Sequence, residues 1–134
     1  MPTGTLTGFA LRMAGLATDH TYVESSDGHV WKCFGRFAGG TTICSGTGNT
    51  AFADCLSQLN SITGIKYLIT GVCHQAANRI LHPAGVFVSS AHGYRASTFI
   101  YGTYGKDLLT GQFHSPLLFP WPELQRCIAI HMHP

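Results

Sequence analysis

Apolar and polar positions alternate most clearly over His20–Ser25 (HTYVES), a β-rich run that predicts a strand. Asp27-Gly28 follows as a two-residue turn signal, and His29–Phe34 (HVWKCF) predicts the returning strand of a hairpin. Asn49–Leu59 (NTAFADCLSQL) switches to helical spacing behind a start signal at Asn49 or Thr50. A second helix is predicted over Val72–Leu81, with Val72, Ala76 and Ile80 on one face, Ala77 and Leu81 beside it, and Pro83 as its stop. Gly85–Ala91 (GVFVSSA) and Ala96–Tyr104 (ASTFIYGTY) predict antiparallel strands, and Cys127–His131 (CIAIH) a closing one. The glycines of Gly35–Gly48 predict a long flexible loop, and Pro116, Pro120 and Pro122 break up Gly105–Pro122 into another. Strands with two helices packed on them make the class α+β, an antiparallel sheet in one domain spanning 1–134.

Charge changes this picture in one respect. Only 10% of residues are charged, against about 25% in a typical soluble domain. The surface must rely on Ser, Thr, Gly, Asn and His, so self-association is expected. A net charge of +2 with no Lys/Arg cluster excludes nucleic acid as a partner. Apolar runs are interrupted well short of the roughly 20 residues of a membrane span. Thr5–Ala17 is mildly apolar but lacks the basic leader of a signal peptide. The two ends read as the edges of a domain cut from a longer protein.

Five cysteines, Cys33, Cys44, Cys55, Cys73 and Cys127, leave at least one thiol unpaired. No C-x-x-C pair is present, which argues against a zinc ribbon or a thioredoxin motif. Cys73 stands apart from the other four. In YLITGVCHQAANRIL it follows Gly71, which permits a sharp turn, and falls in the first turn of the predicted helix. There the unpaired N–H groups and the positive end of the helix dipole favour a thiolate, and the N–H groups of Cys73 and His74 can serve an oxyanion. The bland alternative, a small core cysteine, holds for the other four.

This stretch resembles the nucleophile helix of the papain-like NlpC/P60 superfamily, closest to its circularly permuted branch that includes lecithin–retinol acyltransferase-like proteins. In that branch a histidine on a strand precedes the cysteine, and Asp19–Glu24 (DHTYVE) is similar to that strand. The resemblance covers about a quarter of the chain. It implies a papain-like fold, Cys73 as nucleophile, His20 as general base, no cofactor, and hydrolysis or acyl transfer through a thioester, with an amide bond in peptide, protein or peptidoglycan as the first choice of substrate. The low charge, the glycine loop and the excised look of the chain suggest a secreted or delivered bacterial effector or toxin domain. The family's polar residue on the returning strand has no clear counterpart here. With Asp27-Gly28 as a tight turn, Ser26 faces His29 and His20 faces Gly35. His29 then shares a sheet face with His20 but lies on the order of 20 Å away. The orienting role falls to the Cys33–Arg36 region or to a backbone carbonyl.

Three rival readings remain. His92 follows Cys73 in sequence, the order of unpermuted papain-like enzymes and of cysteine deamidases, and it competes with His20 as the base. His74 points about 100° away from Cys73 on a helix and is expected to be exposed or bonded to the glycine loop. A metal module would use His131 and His133, with Cys127 of matching strand parity. A non-enzymatic binding domain would be stapled by disulfides among Cys33, Cys44, Cys55 and Cys127. In either case Phe99, Ile100 and Phe119 are expected in the core.

Overall fold

The computed structural model describes residues 2–36, 38–58 and 62–131. Strands β1 (Thr3–Arg12), β2 (Asp19–Ser25), β3 (Val30–Trp31) and β4 (Thr41–Asn49) form an antiparallel sheet in the order β3-β2-β1-β4. Helices α1 (Thr50–Ser57), α2 (Cys73–Leu81), α3 (Tyr94–Tyr101) and α4 (Pro122–His131) complete the α+β architecture among the described residues. No helix is long and apolar enough to cross a membrane, among the described residues.

Cross-strand partners share a face, so the registers Leu6↔Ser25, Gly8↔Val23 and Ala10↔Thr21 define the inner side of the sheet. There Leu6, Val23 and Trp31 meet Ala76, Ala77, Ile80 and Leu81 of α2. Each large aliphatic side chain buried this way contributes roughly 1.5–3 kcal/mol. His20 and Tyr22 belong to the other face. Helix α2 is the central strut, buried at every position from His74 to Leu81. Its polar residues are all bonded. Asn78, for example, donates to Tyr94 Oη and Thr103 O, both at 2.9 Å, and accepts from Val88 N–H at 3.0 Å.

Both predicted helices form. Asn49 caps α1 by accepting from Phe52 N–H at 3.0 Å, and α2 ends at Leu81 before a 3-10 turn containing Pro83. The Leu59 end of the first prediction lies outside the described residues.

The predicted glycine loop is in fact mostly strand β4. A Cβ on Gly46 would fall 2.8 Å from Ala84 O, and one on Gly48 2.8 Å from Pro83 C. The glycines therefore give the sheet a surface low enough for the chain after α2 to cross it. The predicted strand Ala96–Tyr104 is largely α3, which buries Ser97 and Tyr101 one helical turn apart. Gly85–Ala91 is irregular, held by Val88, and Cys127–His131 is the second half of α4, where Leu124 and Cys127 face the interior. The strand-like appearance of these segments came from β-branched and aromatic residues, Phe99, Ile100, Ile128 and Ile130 among them, that are exposed and do not set the element. Phe99 and Ile100 are exposed rather than core, at 83% and 53%, and Phe119 is only partly buried.

The hairpin register is shifted by one residue. Val23 pairs with Trp31, and Ser25 N–H donates to His29 O at 3.0 Å, so three residues rather than two turn the chain. Ser25, Asp27 and His29 side chains close this turn, with His29 Nδ1 at 2.8 Å from Asp27 Oδ1. The slip puts Trp31 inside and moves His29 to the sheet face opposite His20.

One disulfide, Cys55–Cys127, ties α1 to α4 across 72 residues of sequence. Cys33, Cys44 and Cys73 are free thiols, so no bridge joins Cys33 to Cys44. The disulfide removes Cys127 from any metal site. His131 lies on a helix, stacked near Phe52, and His133 is outside the described residues. No group of three metal-ligating side chains occurs among the described residues.

Candidate active site

β3 pairs with β2 only at Val23 and Glu24, which leaves the Asp19–Thr21 end of β2 with a bare edge. An unpaired edge needs partners for its backbone groups. The start of α2 supplies them. Thr21 N–H donates to Cys73 Sγ at 3.5 Å, and the thiol lies 3.9 Å from Asp19 O. His74 Nε2 donates to the same carbonyl at 2.9 Å. Because that carbonyl can only accept, His74 carries its proton on Nε2, and Nδ1 accepts from Ser97 Oγ at 2.8 Å. Gln75 in turn donates to Ser97 Oγ at 3.2 Å.

His74 is therefore fully buried and bonded at both nitrogens, contrary to the expectation of an exposed ring or a contact with the glycine segment. The helical geometry that turns it away from Cys73 also points it into the α2–α3 interface. Burial lowers its pKa, only partly offset by Asp19, so it is neutral at pH 7. Gly71 acts just ahead of this start, bridging to Tyr67 so that the chain folds back before Cys73.

His20 lies beside this edge. Its Nε2 donates to Lys32 O at 3.0 Å, which leaves the lone pair on Nδ1. The ring lies flat on Gly35, where a Cβ would fall 2.7 Å from Cε1. His20 meets Gly35 through this packing and not through the hairpin ladder, because the shifted register would set His20 opposite Phe34 and the pairing ends before it. Cys33 and Phe34 take positive φ angles of 53° and 75°, which curl the chain back over the imidazole. Such conformations in residues other than glycine store strain on the order of 1 kcal/mol or more each. Burial lowers the His20 pKa, and the Lys32 and Arg36 carbonyls raise it part of the way back.

Cys73 and His20 line one cleft of about 180 Å³, together with Thr18, Asp19, Arg36 and Tyr67. On its other side Cys73 also lines an apolar cleft of about 270 Å³ between Leu68, Val72, Ala96 and Ile100. The thiol thus stands in the wall between two recesses, one edged by Asp19, His20 and Arg36 beside Met13, Leu16 and Phe34, the other apolar. Among the described residues no hydrogen bond joins it to an imidazole. Burial pushes its pKa above that of an ordinary cysteine, although the Thr21 N–H and hydroxyl and the first N–H groups of α2 pull it down. The helix start therefore does not yield a resting thiolate, because burial outweighs it.

His92 does not enter either cleft. Its ring is exposed, and what contributes to the site is its backbone, which exchanges hydrogen bonds with Asp19. His92 N–H donates to Asp19 Oδ2 at 3.0 Å, and Asp19 N–H donates to His92 O at 2.8 Å. His29 pairs instead with Asp27 and stands 3.7 Å from Asp54 on α1. Sequence reasoning passed over Asp19, Thr21 and Ser97, which hold Cys73 and His74 in place. Their roles depend on a bare strand edge, which no local pattern announces.

No protein-family model matches the chain, and neither a curated protein nor a solved structure resembles it significantly.

Proposed function

We propose that the chain is a papain-like cysteine hydrolase or acyl transferase acting on an amide bond in peptide, protein or peptidoglycan. The observation that carries the reading is the cleft shared by Cys73, at the start of α2, and His20. His20 takes the Cys73 proton on Nδ1 as the sulfur attacks the substrate carbonyl, forming the C–S bond and a tetrahedral oxyanion. N–H groups of Cys73 and His74 stabilise that oxyanion. Collapse breaks the C–N bond, the imidazolium returns its proton to the leaving amine, and a thioester remains on Cys73. Water then releases the acid, or an amine or alcohol takes the acyl group.

The raised thiol and lowered imidazole pKa values favour a neutral resting pair, with proton transfer occurring during attack rather than before it. The Lys32 carbonyl is the orienting partner of the base, in the place of a third side chain. The strained Cys33–Phe34 turn supports the same reading, since it is what holds that carbonyl and Gly35 against the ring. The Cys55–Cys127 disulfide suits a secreted protein in an oxidising compartment.

Turnover of an activated acyl ester tests the proposal. Cys73→Ala should abolish it, and His20→Ala should slow acylation by about 10²–10⁴. A second reading, a binding module, draws on the burial that raises the thiol pKa and on the lack, among the described residues, of a hydrogen bond between the thiol and an imidazole. It is favoured if ester turnover is absent while a ligand still fills the clefts.

A further inference from the structure

Two joined turns fix a row of apolar side chains in solvent. Residues 66–70 close through Ile69 and Thr70 N–H groups donating to Lys66 O, at 3.0 and 2.9 Å. Tyr67, Leu68 and Ile69 stand at the tip, 52%, 63% and 55% exposed. Thr70 O then accepts from Lys106 N–H at 2.9 Å, where a hairpin over 106–113 begins. The Asp107 carboxylate accepts from Leu109 and Thr110 N–H, at 3.1 and 2.9 Å, and so holds Leu108 and Leu109 outward, the latter 92% exposed. Single exposed leucines are ordinary, but a cluster held outward by side-chain caps is the mark of a surface with a partner.

The charges beside these turns say what that partner is. A polar cleft of about 220 Å³ opens here, lined by Lys66, Arg79, Lys106 and His114 against Asp107 and Glu123. Glu123 Oε1 takes Arg79 Nη1 at 3.3 Å, and Asp107 is engaged in its turn. Neither Lys66 nor Lys106 forms an ion pair among the described residues. The remaining acids, Asp19, Glu24, Asp27 and Asp54, belong to the sheet, its hairpin turn and α1. Lys66, Arg79 and Lys106 against Asp107 and Glu123 leave one net positive charge, so the face is apolar at its tips and net positive behind them.

We propose that this face docks on an anionic lipid bilayer, with Leu68, Ile69, Leu108 and Leu109 in the headgroup–acyl boundary and Lys66 and Lys106 on lipid phosphates. The docking does not depend on the chemistry of Cys73. The apolar recess behind Cys73 is nonetheless walled in part by Tyr67 and Leu68, two residues of this face.

Co-sedimentation of the full chain with vesicles tests this. Binding is expected to phosphatidylcholine vesicles containing phosphatidylglycerol, at least about tenfold weaker to phosphatidylcholine alone, and falling with salt. Lys66→Gln and Lys106→Gln should each weaken it about fivefold, and the pair Leu68→Ser with Leu109→Ser by about tenfold or more. All four positions are on the surface, and a circular dichroism melt confirms that each variant is folded. Failure of the folded chain to pellet with anionic vesicles overturns the proposal, as does unchanged binding by the leucine variant. A dimer in light scattering that the leucine substitutions dissociate overturns it in favour of self-association.

Discussion

The Thr21 amide donates to the Cys73 thiol across 3.5 Å, which makes the sulfur the cap of an unpaired strand edge as well as the head of a helix. The next residue secures the same edge through Asp19 O, so the nucleophile's position is built from backbone groups of β2. This arrangement separates the three histidines that the sequence placed near Cys73. His20 shares its cleft, His74 fastens it from behind, and His92 contributes only its backbone.

His74→Ala should therefore destabilise the fold by about 2–3 kcal/mol, because it takes the close donor from the buried Asp19 carbonyl and leaves a cavity between α2 and α3. His92→Ala should stay within about 0.5 kcal/mol and leave ester turnover unchanged, since its ring is exposed. Urea unfolding of both variants checks this. A harmless His74→Ala would mean that the buried relay is not formed.

The helices, the α+β class and the Cys73 neighbourhood were legible because each rests on local signals. The Asn49 cap, the i, i+4 apolar spacing around Ala76 and Ile80, and Gly71 before the cysteine can all be read from short windows. What was not legible depended on distant partners. TTICSGTGN reads as a loop until Pro83 and Ala84 are seen lying on Gly46 and Gly48. The hairpin slip needed Asp27 to engage both Ser25 and His29. The raised thiol pKa needed the burial of Cys73 against the sheet edge, which opposes the helix-start effect that the sequence does show.

Gly35→Ala is expected to displace the His20 ring, since the new Cβ would stand 2.7 Å from Cε1. Ester turnover should fall at least about tenfold while stability changes by less than about 1 kcal/mol, the position being exposed. Parallel kinetic and urea measurements separate the two effects. Unaltered turnover would remove His20 from the mechanism.

Acid should destabilise the protein from about pH 6.5 downward. His20, His74, His82 and His114 all have pKa values lowered in the fold, chiefly by burial. In the window between the folded and unfolded pKa the unfolded chain binds more protons. Stability therefore rises with pH there and is lost as pH falls, by up to about 1.4 kcal/mol per pH unit for each histidine. Urea midpoints at pH 7.5, 6 and 5 measure this slope, and a flat series contradicts it.

Breaking the Cys55–Cys127 bridge frees a loop of 72 residues and should lower stability by about 4 kcal/mol. The paired change Cys55→Ala with Cys127→Ala, followed by thermal unfolding, gives the figure. The relative reactivities of Cys33, Cys44 and Cys73 should not change in that variant, provided it is studied below its melting point.

The most direct measurement is peptide-resolved mass spectrometry of the chain after a brief reaction with an activated acyl ester at pH 7.5, in the wild type and in His20→Ala. A Cys73–His20 enzyme puts the acyl group on Cys73 ahead of Cys33 and Cys44, and loses most of that labelling when His20 is removed. Equal labelling of the three thiols, or a Cys73 signal indifferent to His20, contradicts the assignment and leaves the clefts as a binding site.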